Sequence, residues 1–206
     1  MKEKDVYAEL SSIRDLMERS SKFISLSGLS GVIAGLYALA GAGLGYLLVH
    51  NLKTETGSDG PYAGEPVIFW QLFMIALAVL VFSVVTACWF SVRKAKVKNE
   101  NVWNPVSRRL LAAIVVPLFT GGLFIIIMMM KGDYTTVAAA CLIFYGLALV
   151  AGSHYTYNDV KWLGFCEIFL GLLALVLPGY GLILWAIGFG LLHIIYGTIL
   201  HFKYER

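Results

Sequence analysis

Glu167 and His193 are the side chains whose type and position could do chemistry in this chain of 206 residues. Glu167 is the one carboxylate well inside an apolar run, and His193 is the one histidine comparably deep. A charge at such depth in a bilayer costs ~2.5–3.5 kcal/mol on insertion scales, so the group is expected to be neutralised, paired or functional. Two uses follow from the residue types. An imidazole and a carboxylate can hold and release a proton between them, as in a proton relay or an acid sensor. Alternatively they form an interhelical hydrogen bond that fixes helix register, worth ~0.6–2 kcal/mol. Each lies thirteen residues from Tyr180, which sits in the turn between the last two apolar runs, so an antiparallel hairpin brings both to one level. Gly164-x-x-Glu167-x-x-x-Gly171-x-x-Ala174 and Ala186-x-x-x-Gly190-x-x-His193-x-x-x-Gly197 each line one helix face. Small residues above and below the polar pair predict that these two faces pack against each other.

Other chemistry is poorly furnished. HExxH, GxSxG, a Walker loop and a strand-borne GxGxxG do not occur, so a non-enzymatic protein without a cofactor is expected. One carboxylate with one imidazole is too few ligands for a dedicated metal site, and His154 and His201 are placed nearer the surface. Cys88, Cys141 and Cys166 sit inside apolar runs, which excludes a secreted disulfide framework and a CxxC metal site. Pro117 lacks a backbone donor and frees the carbonyl of Ala113, which makes Pro117, Thr120 and Gly121 a candidate helix break. Broken helices line transporter sites, but the polar neighbours here are only Gln71, Ser83, Thr86, Thr120 and Tyr145.

The elements that must position these groups are membrane helices. Of the chain, 59% is hydrophobic and 14% charged, against roughly 25% charged in an ordinary soluble domain. A water-soluble core cannot hide that much apolar sequence. Apolar stretches at about 23–49, 67–91, 110–130, 135–151, 162–177 and 182–200 predict an all-α protein of six transmembrane helices in three hairpins, the fifth short against the ~17–25 residues a span needs. Residues 201–206 form a tail. Lys and Arg number fourteen in the alternate connections that include both termini and two, Lys53 and Lys131, in the others. That bias predicts both termini in the cytoplasm and the loop His50–Glu65 outside.

Residues 1–22 place Val6, Leu10, Ile13 and Met17 on one helical face, with five bases and five acids. They read as an amphipathic helix lying on the protein's own cytoplasmic face or on a partner. In the connection 92–109, Arg93, Lys94, Lys96, Lys98, Arg108 and Arg109 face one acid, Glu100. Such a cluster fixes topology and can attract anionic lipid headgroups at ~1 kcal/mol per base. No recognition motif accompanies the charge, so nucleic-acid binding is not expected. The pairs Gly31/Gly35 and Gly41/Gly45 mark the first span for close helix contact, internal or between subunits, and a small homo-oligomer is expected. The spacing G-L-x-x-x-A-G occurs at Gly35–Gly41 and again at Gly146–Gly152.

The last hairpin reads Leu163-Gly164, then Gly171-Leu-Leu-Ala-Leu-Val-Leu-Pro178-Gly179, then Gly188-Phe-Gly190-Leu-Leu-His193-Ile-Ile-Tyr-Gly197. It resembles the hairpin unit of the HdeD-like acid-resistance membrane proteins, in which a glycine-rich helix, a Leu-Pro turn and a second glycine-rich helix recur. It is also similar to six-helix bacterial inner-membrane proteins that end in an LPGYG hairpin. The resemblance implies six helices, a bacterial inner membrane and a role in envelope or acid stress; with almost no extramembrane domain, the chain is expected to act through association with itself, lipid or a partner. The resemblance implies no catalytic residues. The alternative is a proton-linked channel or transporter built on Glu167 and His193.

Overall fold

A computed structural model describes residues 27–56, 66–97 and 102–204. The expected amphipathic helix, Lys98 and most of the first outer loop lie outside the described residues, which are helical and contain no strand. Six helices follow in order: α1 (Gly28–Thr56), α2 (Pro66–Val97), α3 (Pro105–Met130), α4 (Val137–Gly152), α5 (Asp159–Val176) and α6 (181–204). Among the described residues five segments are long and apolar enough to cross a membrane, one in each helix but α5, with that of α4 running on through Tyr155. Helix α5 carries Asp159, Lys161 and Glu167 within its eighteen residues, which sets it apart by charge.

Helix ends differ from expectation in a consistent way. Helix α1 continues past residue 49 to Thr56, α2 continues through Arg93, Lys94 and Lys96, and α6 continues to Tyr204 through most of the expected tail. Polar residues at helix ends keep the backbone hydrogen-bonded while the hydropathy pattern has already stopped, so hydropathy underestimates helix length. Helix α3 starts early at Pro105 because Asn104 and Ser107 cap each other: Ser107 N donates to Asn104 Oδ1 at 2.8 Å and Asn104 N to Ser107 Oγ at 3.0 Å. The turns after α3 and α5 need glycine at Gly132, φ 77°, and Gly179, φ 94°.

The expected break in α3 does not form. The helix runs through Pro117 without interruption, with Thr120 Oγ1 donating to Val116 O at 2.8 Å. One missing backbone bond is readily absorbed in a membrane helix. Gly121 serves packing instead, because a β-carbon there would strike the Phe144 ring of α4.

The last hairpin also packs differently from the expected face-to-face pairing. Helix α5 buries one stripe, Val160, Leu163, Gly164, Glu167, Gly171 and Ala174, and its glycines lie against α4: Gly164 against Gly146 and Val150, Gly171 against Ile143 and Ala139. Helix α6 lies against α1 instead, with Gly190 on Leu39 and Gly197 on Gly28 and Val32. The two G-L-x-x-x-A-G stretches do the same work in the two pairs. Gly35 seats on the Gly190 carbonyl and Ile194, as Gly146 seats on the Gly164 carbonyl and Ile168. Gly41 then meets Val79 of α2, and Gly152 meets Ile114 of α3. Gly31 faces Gly197, and Gly45 faces Leu72 and Leu182, so both GxxxG pairs of α1 meet helices of the same chain.

At the end opposite the 177–180 turn, α5 and α6 are tied by Asp159. Lys203 Nζ lies 2.8 Å from Asp159 Oδ2, and the Tyr204 hydroxyl donates to the same oxygen at 2.9 Å. Partial burial works against the carboxylate, yet the hydrogen bonds from Lys203 and Tyr204 outweigh it and hold Asp159 below the ordinary carboxylate value. A lowered folded value means stabilisation present above the unfolded value of ~3.9 and lost as pH falls through the folded one. Because the tie is largely exposed, Asp159→Asn is expected to cost less than about 1 kcal/mol at pH 7 in thermal unfolding. The difference from wild type should vanish in acid; an equal loss at both pH values would contradict the assignment.

Candidate functional site

Three helices deliver one polar group each to the middle of the bundle: Tyr145 from α4, Glu167 from α5 and His193 from α6. Glu167 has 0% exposure and His193 7%. The two side chains approach each other, with His193 Nδ1 3.4 Å from Glu167 Oε1, without forming the expected hydrogen bond. The route to that contact is different from the one the glycine faces implied. Since α5 leans on α4 and α6 on α1, what lets the acid reach the ring is Gly188: a β-carbon there would collide with Glu167 Oε2 and with Leu142.

The chain around Gly188 is not an ordinary α-helix. Residues 186–192 form a π-helical segment between the α-helical turns Gly181–Trp185 and His193–Tyr204. One extra residue per turn leaves backbone carbonyls less committed to the ladder, and such segments recur at functional sites. Here the Gly188 carbonyl lies 3.0 Å from His193 Nδ1. A carbonyl can only accept, so Nδ1 carries the proton and donates to it. Nε2 of the neutral ring is then the acceptor for the Tyr145 hydroxyl at 2.7 Å. This tautomer is assigned from the hydrogen-bond network. The Phe189 ring stacks against His193 at 5.9 Å between centroids and lies 4.9 Å from that of Tyr145, which walls the site with aromatic surface.

Glu167 is the anomaly. Both its oxygens are buried without a hydrogen-bond partner in the protein. An ionised carboxylate cannot be left so, because an uncompensated buried charge is among the most expensive features a protein can hold. One proton resolves it in either of two places: on the carboxyl itself, or on Nε2 of His193, which makes an imidazolium beside a carboxylate. Both states are electrically neutral as a pair. The arrangement can therefore hold one proton.

No family model, curated protein or solved structure matches this chain. The site is read from its own geometry. Glu167 and His193 are metal-ligand types, but among the described residues no three His, Cys, Asp or Glu side chains gather. The turn side of the cluster is closed by Ala139, Leu142, Ala174 and Leu184, a buried apolar plug with Leu170, Leu173 and Ile187 packed around it.

Of the other expected positions, Arg93, Lys94 and Lys96 lie on the last turns of α2, and Arg108 and Arg109 on the first two turns of α3. The connection between these helices is shorter than the expected 92–109. Arg93 lies over the Trp89 ring, 5.7 Å from its centroid. Tyr145 was visible in sequence only as one polar residue in α4, since nothing in the spacing ties it to His193, forty-eight residues away. Gly188 is the residue that sequence reasoning missed. Its signal was the pair Gly188-Phe-Gly190, readable as close packing but not as room for a carboxylate.

Proposed function

We propose that the protein is a non-enzymatic, six-span protein of the bacterial inner membrane, with both termini cytoplasmic, and that it responds to pH in envelope or acid stress. The observation that carries this reading is the sealed Glu167 carboxylate, without a donor of its own and 3.4 Å from an imidazole. Gain or loss of one proton there changes the bonds that hold α4, α5 and α6 together. The resemblance of the last hairpin to HdeD-like acid-resistance proteins supports the same role. A proton-linked channel or transporter needs access to the pair from two sides, and the plug of Ala139, Leu142, Ala174 and Leu184 favours one-sided access.

Lipid is the partner best supported. Arg108 and Arg109 are exposed at the N-terminus of α3, where the helix dipole disfavours cations, so anionic headgroups are the natural counter-charge. An open apolar groove of ≈ 450 Å³ between α1 and α6, lined by Leu39, Ala42, Gly43 and Leu182, suits an acyl chain. Self-association uses surfaces other than Gly31, Gly35, Gly41 and Gly45, which meet α2 and α6.

In a host lacking the protein, wild type should restore survival of an acid challenge, and Glu167→Gln at equal expression should not. Full rescue by Glu167→Gln would defeat the role given to the carboxylate. Topology is tested separately. With the native cysteines replaced, a cysteine at Ser58 should react with an impermeant thiol reagent from outside only, and reaction from the cytoplasmic side alone would overturn the six-span arrangement.

A further inference from the structure

Four tyrosines lie between the buried pair and the tied ends of α5 and α6. Tyr145 donates to His193 Nε2 at 2.7 Å. Tyr196, one turn along α6 from His193, has a buried hydroxyl without a partner in the protein. Its side chain packs against the buried cluster of Tyr157, Val160 and Leu200, beside Asp159 in the chain. Tyr157 and Tyr204 have ring centroids 4.2 Å apart, and the Tyr204 hydroxyl meets Asp159 Oδ2 at 2.9 Å. Asp159 is half-buried and reaches the surface beside Lys203. In the opposite direction, toward the 177–180 turn, lies the buried apolar cluster of Ala139, Leu142, Ala174 and Leu184.

We propose that Tyr196 is the central relay of a one-sided proton route from the Asp159 end of α5 to His193 and Glu167, a route that supplies the pH response proposed above and rests on that reading. A buried hydroxyl without a protein partner is satisfied by water, and a hydroxyl with water on either side passes protons by accepting one and releasing its own. One proton enters from solvent at the Asp159 carboxylate and leaves it for water. Tyr196 accepts that proton on its oxygen and gives its original proton, through water, to Tyr145. Tyr145 in turn releases its hydroxyl proton to Nε2. Each tyrosine ends with the proton count it started with. The imidazole, now protonated on both nitrogens, passes its Nδ1 proton to Glu167 Oε1, 3.4 Å away, so the net change is one solvent proton on the carboxyl group. The Glu167–His193 pair goes from one negative charge to neutral. The titratable groups facing this pair are Tyr145 from α4 and those on α5 and α6 themselves; α1 contributes Gly31, Gly35 and Ala38 toward α6.

The full-length protein in oriented proteoliposomes provides the test, with a pH jump followed through the Glu167 carboxyl infrared band, identified by its loss in Glu167→Gln. Tyr196→Phe keeps the ring and removes the relay. The band should titrate at the wild-type midpoint, but its approach to equilibrium should slow by roughly tenfold or more. Thr198→Val, which removes an exposed hydroxyl of the same helix bonded to Ile194 O, should leave the rate unchanged. An unchanged rate in Tyr196→Phe overturns the route and leaves the proposed function standing. Wild type gives an independent reading: the band should respond promptly to a jump on the Asp159 side, and a prompt response from the opposite side also overturns the route. A band that does not titrate from either side overturns the route together with the pH-responsive function.

Discussion

Gly197→Ala should destabilise the protein by about 2–3 kcal/mol, whereas Gly43→Ala in the same bundle should be neutral or stabilising by up to about 1 kcal/mol. Both changes add one methyl group and both raise helix propensity. They differ in what the methyl meets. At Gly197 it comes 2.6 Å from the Gly28 carbonyl oxygen and the Val32 nitrogen, which are backbone atoms of α1 and cannot turn aside. At Gly43 nothing lies within 4 Å. Reversible unfolding in mixed micelles measures both, and equal effects would mean that α1 and α6 are not held by the close approach described here. His193 stands four residues before Gly197, so loosening this contact also displaces the ring from Tyr145.

Glu167→Gln should stay within about 1 kcal/mol of wild type at neutral pH, while Glu167→Leu should lose about 2 kcal/mol or more. Glutamine keeps the flat, hydrogen-bonding head that fits beside Gly188 and His193. Leucine brings a branched tip into the space between Gly188 and Leu142 and offers His193 nothing polar. The two should also differ from wild type in pH dependence. Wild-type stability should carry the titration of the pair, and both variants should lack that contribution and retain the acid loss set by Asp159 and Lys203. A Leu variant as stable as Gln would show that the site makes no demand on polarity or shape.

Much of this was legible in the chain. Hydropathy located the helices, because a bilayer requires long apolar runs whatever their neighbours. The level of Glu167 and His193 was legible from their equal offsets to Tyr180, since rise per residue is nearly constant in a helix. Neighbour choice was not legible. Gly164 and Gly171 are compatible with any close helix, and whether that helix is α6 or α4 depends on where Gly146 and Ile143 fall, one hairpin earlier. The π segment 186–192 was hidden for a related reason: a face drawn at 3.6 residues per turn presumes the very ladder that this segment departs from. Pro117 misled in the other direction, because a missing donor marks a weak point in a helix without deciding whether the helix continues through it, as it does here beside Gly121 and Phe144.

That a single proton resides between Glu167 and His193 is tested most directly by pH-difference infrared spectroscopy of the protein in lipid, wild type against Glu167→Gln. The account predicts a carboxyl band that changes with pH in wild type and is missing from the variant, with the backbone amide bands of the two alike at neutral pH. Superimposable pH-difference spectra would contradict it, since Glu167 would then keep one protonation state throughout and serve only to set the packing of α4, α5 and α6.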